Sequence, residues 1–312
     1  MAYFLIDGMY LTHRSYHGNP GLTTSSEMPS GAFFGYLRTL VALRKQFPHE
    51  KFAVCWDSRT NFRKEIDPNY KGGRGEALPG FWEQKGDIEA ALSALGVDQW
   101  SCENYEADDV FAAFVNRFRE QGLITIYTCD KDMLQLVKDG RVIVMRPGTR
   151  GTPDQFYDEG KVKERFGVAP EHLVHYRALD GDSSDNLPGV PRVPRKVLAK
   201  LVNRFHTLGN VFCNLDKEKL TSFQKEGILS FQETAQKNYK LMTLEGNLPH
   251  LTLTHDAQDP QKFEYLLEKY EISPHTIAPD TTLALFRAEL NIRHSDPVPV
   301  LRVETEDIFG DE

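Results

Sequence analysis

Tyr3-Phe-Leu-Ile-Asp7, Lys51-Phe-Ala-Val-Cys-Trp-Asp57 and Leu123-Ile-Thr-Ile-Tyr-Thr-Cys-Asp130 are three apolar runs that each end in an aspartate. Short runs rich in aromatic and β-branched residues predict buried strands. Helical patterns near residues 30–46, 81–95 and 105–118 separate them. Strands that alternate with helices predict an α/β fold with a mainly parallel sheet. In such a sheet ligands sit beyond the carboxyl ends of the strands. Three carboxylates placed there face one another across one crevice. Like charges that close cannot all stay ionised without a cation. The simplest is a divalent ion that prefers oxygen ligands.

The chain has 312 residues, enough for one large domain or two modest ones with a sizeable core. Its net charge of −8 at first argues against a nucleic-acid partner. Distribution matters more than the sum, because acids gathered around metal ions are neutralised when the ions bind. Basic residues concentrate at 62–74 and 191–196. Cys55, Cys102, Cys129 and Cys213 are scattered, with no C-x-x-C pair. They read as reduced thiols of a cytoplasmic protein, not a disulfide frame or a zinc site. No signal-peptide pattern opens the chain, and no apolar run is long enough to span a bilayer.

A polar segment at 57–80, rich in Gly, Pro, Arg and Lys, is too long for an ordinary loop and reads as a functional arm. Residues 141–145 predict a further strand. From about 168 the texture changes to helices and turns. Residues 168–179 predict a helix with proline in its first turn, 181–189 a turn cluster, and 195–205, 216–242 and 261–291 further helices. The expected organisation is a first domain at 1–167, a helical region at 168–293 with a hairpin at 181–196, and an acidic disordered tail at 294–312.

Six more acids join the three at strand ends. Glu106, Asp108 and Asp109 fall in the first turn of one predicted helix, where acids suit the helix dipole. Asp132 follows Asp130 by two, and Asp182 and Asp185 bracket two serines. Any one of these reads as a cap or a surface carboxylate. As a set they occupy the strand-end, helix-start and turn positions where functional residues concentrate.

At these residues the chain resembles the 5′-nuclease superfamily, in particular the 5′→3′ exonuclease domain of bacterial DNA polymerase I and the related phage and flap endonucleases. The matching stretches are LIDGMYLTHRSYHG, CWDSRTNFRKEIDPNYKGGR, NYEADDVFAAF, TCDKDMLQLV and ALDGDSSDNLPGV. The resemblance implies a PIN-like nuclease domain followed by a helix–three-turn–helix (helix-hairpin-helix-like) DNA-binding region. It implies two Mg²⁺ ions, with Mn²⁺ able to substitute. Asp7, Asp57, Glu106, Asp108 and Asp109 correspond to the tighter site, and Asp130, Asp132, Asp182 and Asp185 to the second. Arg14, Lys71 and Arg74 match positions used against the scissile phosphate, and Tyr70 is placed to stack on a base. Arg63, Gly189, Val190, Arg192, Arg195 and Lys196 are the remaining expected DNA contacts. Histidines 13 and 17, near Asp7, read as packing residues.

Two ions about 3.5–4 Å apart stabilise both the attacking and the leaving oxygens of a phosphodiester. No Ser-His-Asp or Cys-His pairing is needed. The expected activity is therefore a two-metal 5′→3′ exonuclease or structure-specific 5′-flap endonuclease, in primer removal, replication or repair. The expected substrates are DNA with 5′ ends or flaps and RNA–DNA primer hybrids. The expected organisation is a monomer with a separate DNA polymerase acting in trans. The rivals are a PIN-like endoribonuclease and a DNA-structure-binding module without turnover. One departure favours the latter. The family hairpin Gly-Val-x-Gly-Ile/Val-Gly-x-Lys reads Gly189-Val-Pro-Arg-Val-Pro-Arg-Lys196 here. Arg192 resists the positive φ a glycine would take, and Pro194 has no N–H. These changes set the usual hairpin geometry and its K⁺ site in question.

Overall fold

A computed structural model of the chain describes residues 2–73, 75, 79–149 and 151–287. Arg74 and the expected tail at 294–312 lie outside the described residues. In chain order the first half comprises β1 (Ala2–Asp7), α1 (Gly8–Gly18), α2 (Gly31–Gln46), β2 (Glu50–Cys55), α3 (Arg63–Ile66), α4 (Phe81–Ala94), β3 (Asp98–Ser101), α5 (Ala107–Phe118), β4 (Ile124–Tyr127), β5 (Val142–Arg146) and β6 (Gln155–Tyr157). The second half comprises α6 (Glu159–Phe166), α7 (Pro170–Asp180), α8 (Arg195–Phe205), α9 (Leu208–Cys213), α10 (Ser222–Ser230), α11 (Gln232–Met242), β7 (Thr252–Thr254), α12 (Pro260–Lys269) and α13 (Pro279–Arg287).

The sheet has the order β6-β5-β4-β1-β2-β3-β7, parallel except at its two edge strands. β1 lies at the centre because it is buried on both faces. Tyr3 and Leu5 enter one core, while Phe4 and Ile6 enter the other. That is the period of two of an extended chain. On the first face Phe114 of α5 meets Tyr3 and Trp100 edge-on, with ring centroids 5.2 and 5.6 Å apart. On the second, Phe4 stacks on Phe52 at 4.8 Å under α2, α4 and α12. The chain runs from β1 outward through β2 and β3, then crosses back to place β4 and β5 on the other side of β1. Strand order therefore reverses beside β1, and the crevice lies there.

Several elements differ from the sequence expectation. The stretch after β1 is helix α1, whose turns carry no clean apolar stripe. It begins at a glycine because a Cβ at Gly8 would lie 2.5 Å from the Trp56 ring. β3, β6 and β7 are three or four residues long, too short to show alternation. The helix expected over 216–242 is divided into α10 and α11, and the one over 261–291 into α12 and α13. Pro274 lies in the second break, where it cannot continue a helix.

The largest difference is the segment expected to be an arm. Its residues 57–73 fold down against α5 and α11. Arg63 is 1% exposed. Its guanidinium grips both oxygens of Asp109, with Nη2 2.7 Å from Oδ1, while Nε donates to the Leu241 carbonyl at 2.7 Å. Arg63 is therefore not a DNA contact, as its sequence position suggested, but the pin that holds this segment to the core. Removing one partner of a buried ion pair strands the other charge, at about 3–5 kcal/mol. Arg63→Ala should lower unfolding stability by about that amount in urea denaturation. A loss near zero would show that the pair is not what anchors the segment.

Candidate metal centre and nucleic-acid site

Asp7 ends β1 and caps α1. Its Oδ1 accepts the Tyr10 N–H at 2.8 Å, and its Oδ2 accepts the Thr128 hydroxyl from the end of β4, also at 2.8 Å. The first turn of α1 and the end of β4 thus fix one carboxylate at the switch point. Burial first, then the charge of Asp57, raises the Asp7 carboxyl to about 7, and Asp130 adds to the effect. Asp57 follows β2 and accepts the Ala107 N–H at 2.8 Å, at the positive end of α5. Asp108 lies in the first turn of α5. Burial and then Asp130 push its carboxyl well above the usual range; Lys71 opposes this, and Glu106 and Asp57 reinforce it. Asp7, Asp57, Asp108 and Asp130 form one mutually repelling group.

The other acids already hold partners. Glu106 caps α5 and is gripped by the Lys71 ammonium, with the Tyr70 hydroxyl donating to it at 3.2 Å. Asp109 is fully buried. Besides Arg63, it accepts the Glu245 N–H at 2.8 Å. It serves as an internal clamp and faces away from solvent, which corrects its expected place among the metal ligands. Asp132 and Asp182 share Arg177, whose Nη2 lies 3.1 Å from Asp132 and hydrogen-bonds Asp182. Burial alone would raise Asp182, but the Ser184 hydroxyl and N–H and Arg177 hold it down to about 2. Asp132 is raised to about 7, by burial and then Asp130, despite Arg177. Its buried Oδ1 is the atom in that ion pair and makes no other hydrogen bond. Asp185 is buried beside them, and its carbonyl accepts the Lys71 N–H at 3.3 Å. The sequence reading missed Arg177 and Thr128. Thr128 lies inside a quoted motif and Arg177 immediately before one, but only the fold shows which acids they reach.

The basic residues divide in the same way. Lys71 has φ +56 and sits between Glu106 and the ring of Tyr70. Tyr70 is 4% exposed, so it presents no ring face to a base and instead orients Glu106. Arg14 is anchored by the Tyr10 hydroxyl at 2.9 Å and by the Gly148 carbonyl. His13 stacks on Phe81.

The hairpin holds its shape without the family's glycines. Arg192 adopts φ +58, the conformation a glycine would supply. Pro194 is the N-cap of α8 at φ −62, where its missing N–H removes no helical bond. Gly189 is required for contact, since a Cβ there would lie 2.0 Å from the Asp180 carbonyl. Val190 spends its N–H on the Leu179 carbonyl at 2.8 Å and is buried, so it does not offer that donor to phosphate. Arg195 reaches Asp180 at 2.8 Å. Arg192 and Lys196 remain on the surface, Arg192 lying 5.9 Å over the exposed Phe223 ring. Between this hairpin and the acids lies a cleft of about 700 Å³, lined by Lys131, Arg177, Asp182 and Arg195 among others.

The donor set fits hard divalent cations: carboxylate oxygens gathered closely enough that Asp7, Asp108 and Asp132 are all raised by neighbouring carboxylates. Among the described residues no three such side chains close around one point. An open arrangement suits an ion that keeps several waters. A carboxyl raised in the fold releases stability as it ionises. Without metal, stability should fall as pH rises from about 4 toward 7, by an amount on the order of 4 kcal/mol for Asp7 alone. Thermal melts in EDTA across that range should show the decline, and Mg²⁺ should offset it at pH 7. A melting temperature indifferent to Mg²⁺ at pH 7 would contradict this account.

Residues 2–167 match the family described as "5′-3′ exonuclease, N-terminal resolvase-like domain", and residues 168–264 match "5′-3′ exonuclease, C-terminal SAM fold". A 5′-3′ exonuclease of Aquifex aeolicus is 32% identical over 247 residues, covering 78% of this chain and 82% of that one. The DNA polymerase I of Thermus thermophilus is 34% identical over 248 residues, 78% of this chain but only 29% of the polymerase. This chain thus spans less than a third of the polymerase relatives' length. The T5 D15 protein, crystallised with metal ions, has the same fold, with a TM-score of 0.64 at 19% identity over 93% of this chain and 98% of that one. No helix among the described residues is long and apolar enough to cross a membrane. The two matched segments, in this order and over this sheet, show that the chain belongs to the 5′-3′ exonuclease family.

Proposed function

We propose that this protein is a divalent-metal-dependent 5′-nuclease that hydrolyses DNA phosphodiesters from a 5′ end or at the base of a 5′ flap. One observation carries the reading. Asp7, Asp57, Asp108 and Asp130 repel one another at the point where strand order reverses. A site that existed only to bind DNA would gain nothing from that repulsion, since phosphate is an anion too.

Asp7, Asp57, Asp108 and Asp130 would hold one Mg²⁺, with Mn²⁺ as a substitute. Asp130, Asp132, Asp182 and Asp185 would hold a second. When bound, the ions supply an activated water and charge stabilisation for the phosphoryl oxygens. Glu106 keeps the Lys71 ammonium beside Asp108, where it adds a fixed positive charge for the phosphate. Thr128 and Tyr10 fix the orientation of Asp7. Arg177 bridges Asp132 and Asp182 and offsets the repulsion between them. The hairpin and the start of α8 take the duplex backbone through Arg192, Arg195 and Lys196. RNA–DNA primer hybrids are the second substrate class, and primer removal or repair the expected setting.

The test is a duplex with a labelled 5′ flap, compared with a blunt duplex, a single DNA strand and a single RNA strand, in Mg²⁺ and in EDTA. Metal-dependent cutting near the flap junction is the expected result. Asp130→Asn, which keeps the shape of the residue, should lose cleavage by about 10²-fold or more while binding the flap in Ca²⁺ as well as the parent. Cutting only RNA would move the reading to an endoribonuclease, and binding without cutting to a structural module. A second prediction concerns the hairpin. Arg192→Ala should weaken duplex binding at every sequence and reduce the salt slope by about one. An unchanged slope in a salt titration would remove Arg192 from the interface.

A further inference from the structure

α7 and α8 flank the hairpin, and their far ends meet at two histidines. His172 lies in the first turn of α7, and His206 caps the end of α8. His206 Nδ1 is 3.1 Å from His172 Nε2, and the ring centroids are 4.7 Å apart at 33°. Two rings meeting head-on across a linear bond of that length would stand about 5.4 Å apart. The shorter separation shows that the rings are bent away from a collinear arrangement while one nitrogen hydrogen-bonds the other. Two imidazoles bound to one ion at about 2.0–2.1 Å place their nitrogens about 2.9–3.4 Å apart and their centroids about 4.8 Å apart.

Three other features agree with such a seat. His206 holds φ +68, a conformation that residues other than glycine seldom adopt, fixed by its N–H on the Val202 carbonyl at 2.7 Å. Glu171 Oε1 lies 3.8 Å from His172 Nε2. His206 is exposed and His172 partly so, which leaves an entry path and room for water.

We propose that His172 and His206 form a seat for one divalent transition-metal ion that prefers nitrogen, of which Zn²⁺ is the type, with Glu171 the next donor and water completing the shell. Among the described residues no three His, Cys, Asp or Glu side chains, Glu171 included, converge closely enough to enclose an ion, so the site is an open, exchangeable one. Its imidazole nitrogens distinguish it chemically from the carboxylate crevice, which suits Mg²⁺. An ion there ties the start of α7 to the end of α8. It would stiffen the helix pair whose opposite ends carry Asp180, Arg195 and the hairpin between them. The proposal does not rest on the nuclease reading, and its test does not use cleavage.

The test uses the untagged full chain in excess Mg²⁺, which occupies the carboxylates. Zn²⁺ binding is followed by calorimetry and Cu²⁺ binding by electron paramagnetic resonance. The variants are His172→Ala and His206→Asn, the latter because asparagine accepts positive φ. Circular dichroism confirms that each is folded. The parent should bind one Zn²⁺ that Mg²⁺ does not displace, and its Cu²⁺ spectrum should show two nitrogen ligands. Each variant should lose one nitrogen and bind at least about tenfold more weakly. The proposal is overturned if the parent binds no Mg²⁺-resistant Zn²⁺, if its Cu²⁺ spectrum shows only oxygen ligands, or if either folded variant binds as the parent does.

Discussion

Repulsion among carboxylates is the constraint around which this structure is arranged. Parallel strands bring Asp7, Asp57 and Asp130 to one end of the sheet, and α5 adds Asp108. These four repel one another, and among the described residues four of the acids around them are held by a cation. Arg63 takes Asp109, Lys71 takes Glu106, and Arg177 takes Asp132 with Asp182. Among the described residues these cations lie around the crevice, and the repulsion among Asp7, Asp57, Asp108 and Asp130 lies within it. That pattern distinguishes a site waiting for an ion from one held together by ordinary ion pairs.

The same cations join the two halves of the chain. Arg63 binds the Leu241 carbonyl at the end of α11, and Lys237 of α11 pairs with Asp67 at 2.6 Å. Arg177 of α7 reaches Asp132 beside the sheet. The helical region is thus docked on the nuclease sheet through the residues that shape the crevice. Under the proposed function, a duplex gripped by the hairpin would be registered against the strand-end acids by this docking.

How much of this was legible beforehand follows from what kind of signal each residue emits. The strand-end aspartates stood out because an apolar run that stops at a charge is visible in one dimension. Their convergence followed from the parallel sheet. The partners of the outer acids were not visible. Arg63 sits in a basic, glycine-rich stretch and reads there as a solvated charge. Its burial is explained only by Asp109, 46 residues away in sequence. Tyr70 emits the signal of an exposed aromatic for the same reason. Arg177 lies in a helical pattern whose buried face cannot be told to contain an arginine until Asp132 and Asp182 are seen against it. The short edge strands and α1 were lost because three or four residues, or a helix without an apolar stripe, carry no periodicity to detect.

The hairpin shows the limit of arguing from residue type alone. Substitution of a glycine by arginine predicts a turn that cannot close, since positive φ is costly for a side chain. The turn closes nonetheless, because its flanks leave Arg192 little choice. Val193 is buried, Pro194 begins α8, and the Gly189 backbone is pressed against Asp180. Tertiary packing therefore overrides a local preference of about 1–2 kcal/mol. In return the loop gains a cation at its tip, oriented by Phe223. A glycine hairpin presents backbone donors to a phosphate; under the proposed function this one would present a guanidinium. The two solutions differ in salt dependence more than in shape, because a mobile charge on the surface is screened and a backbone N–H is not.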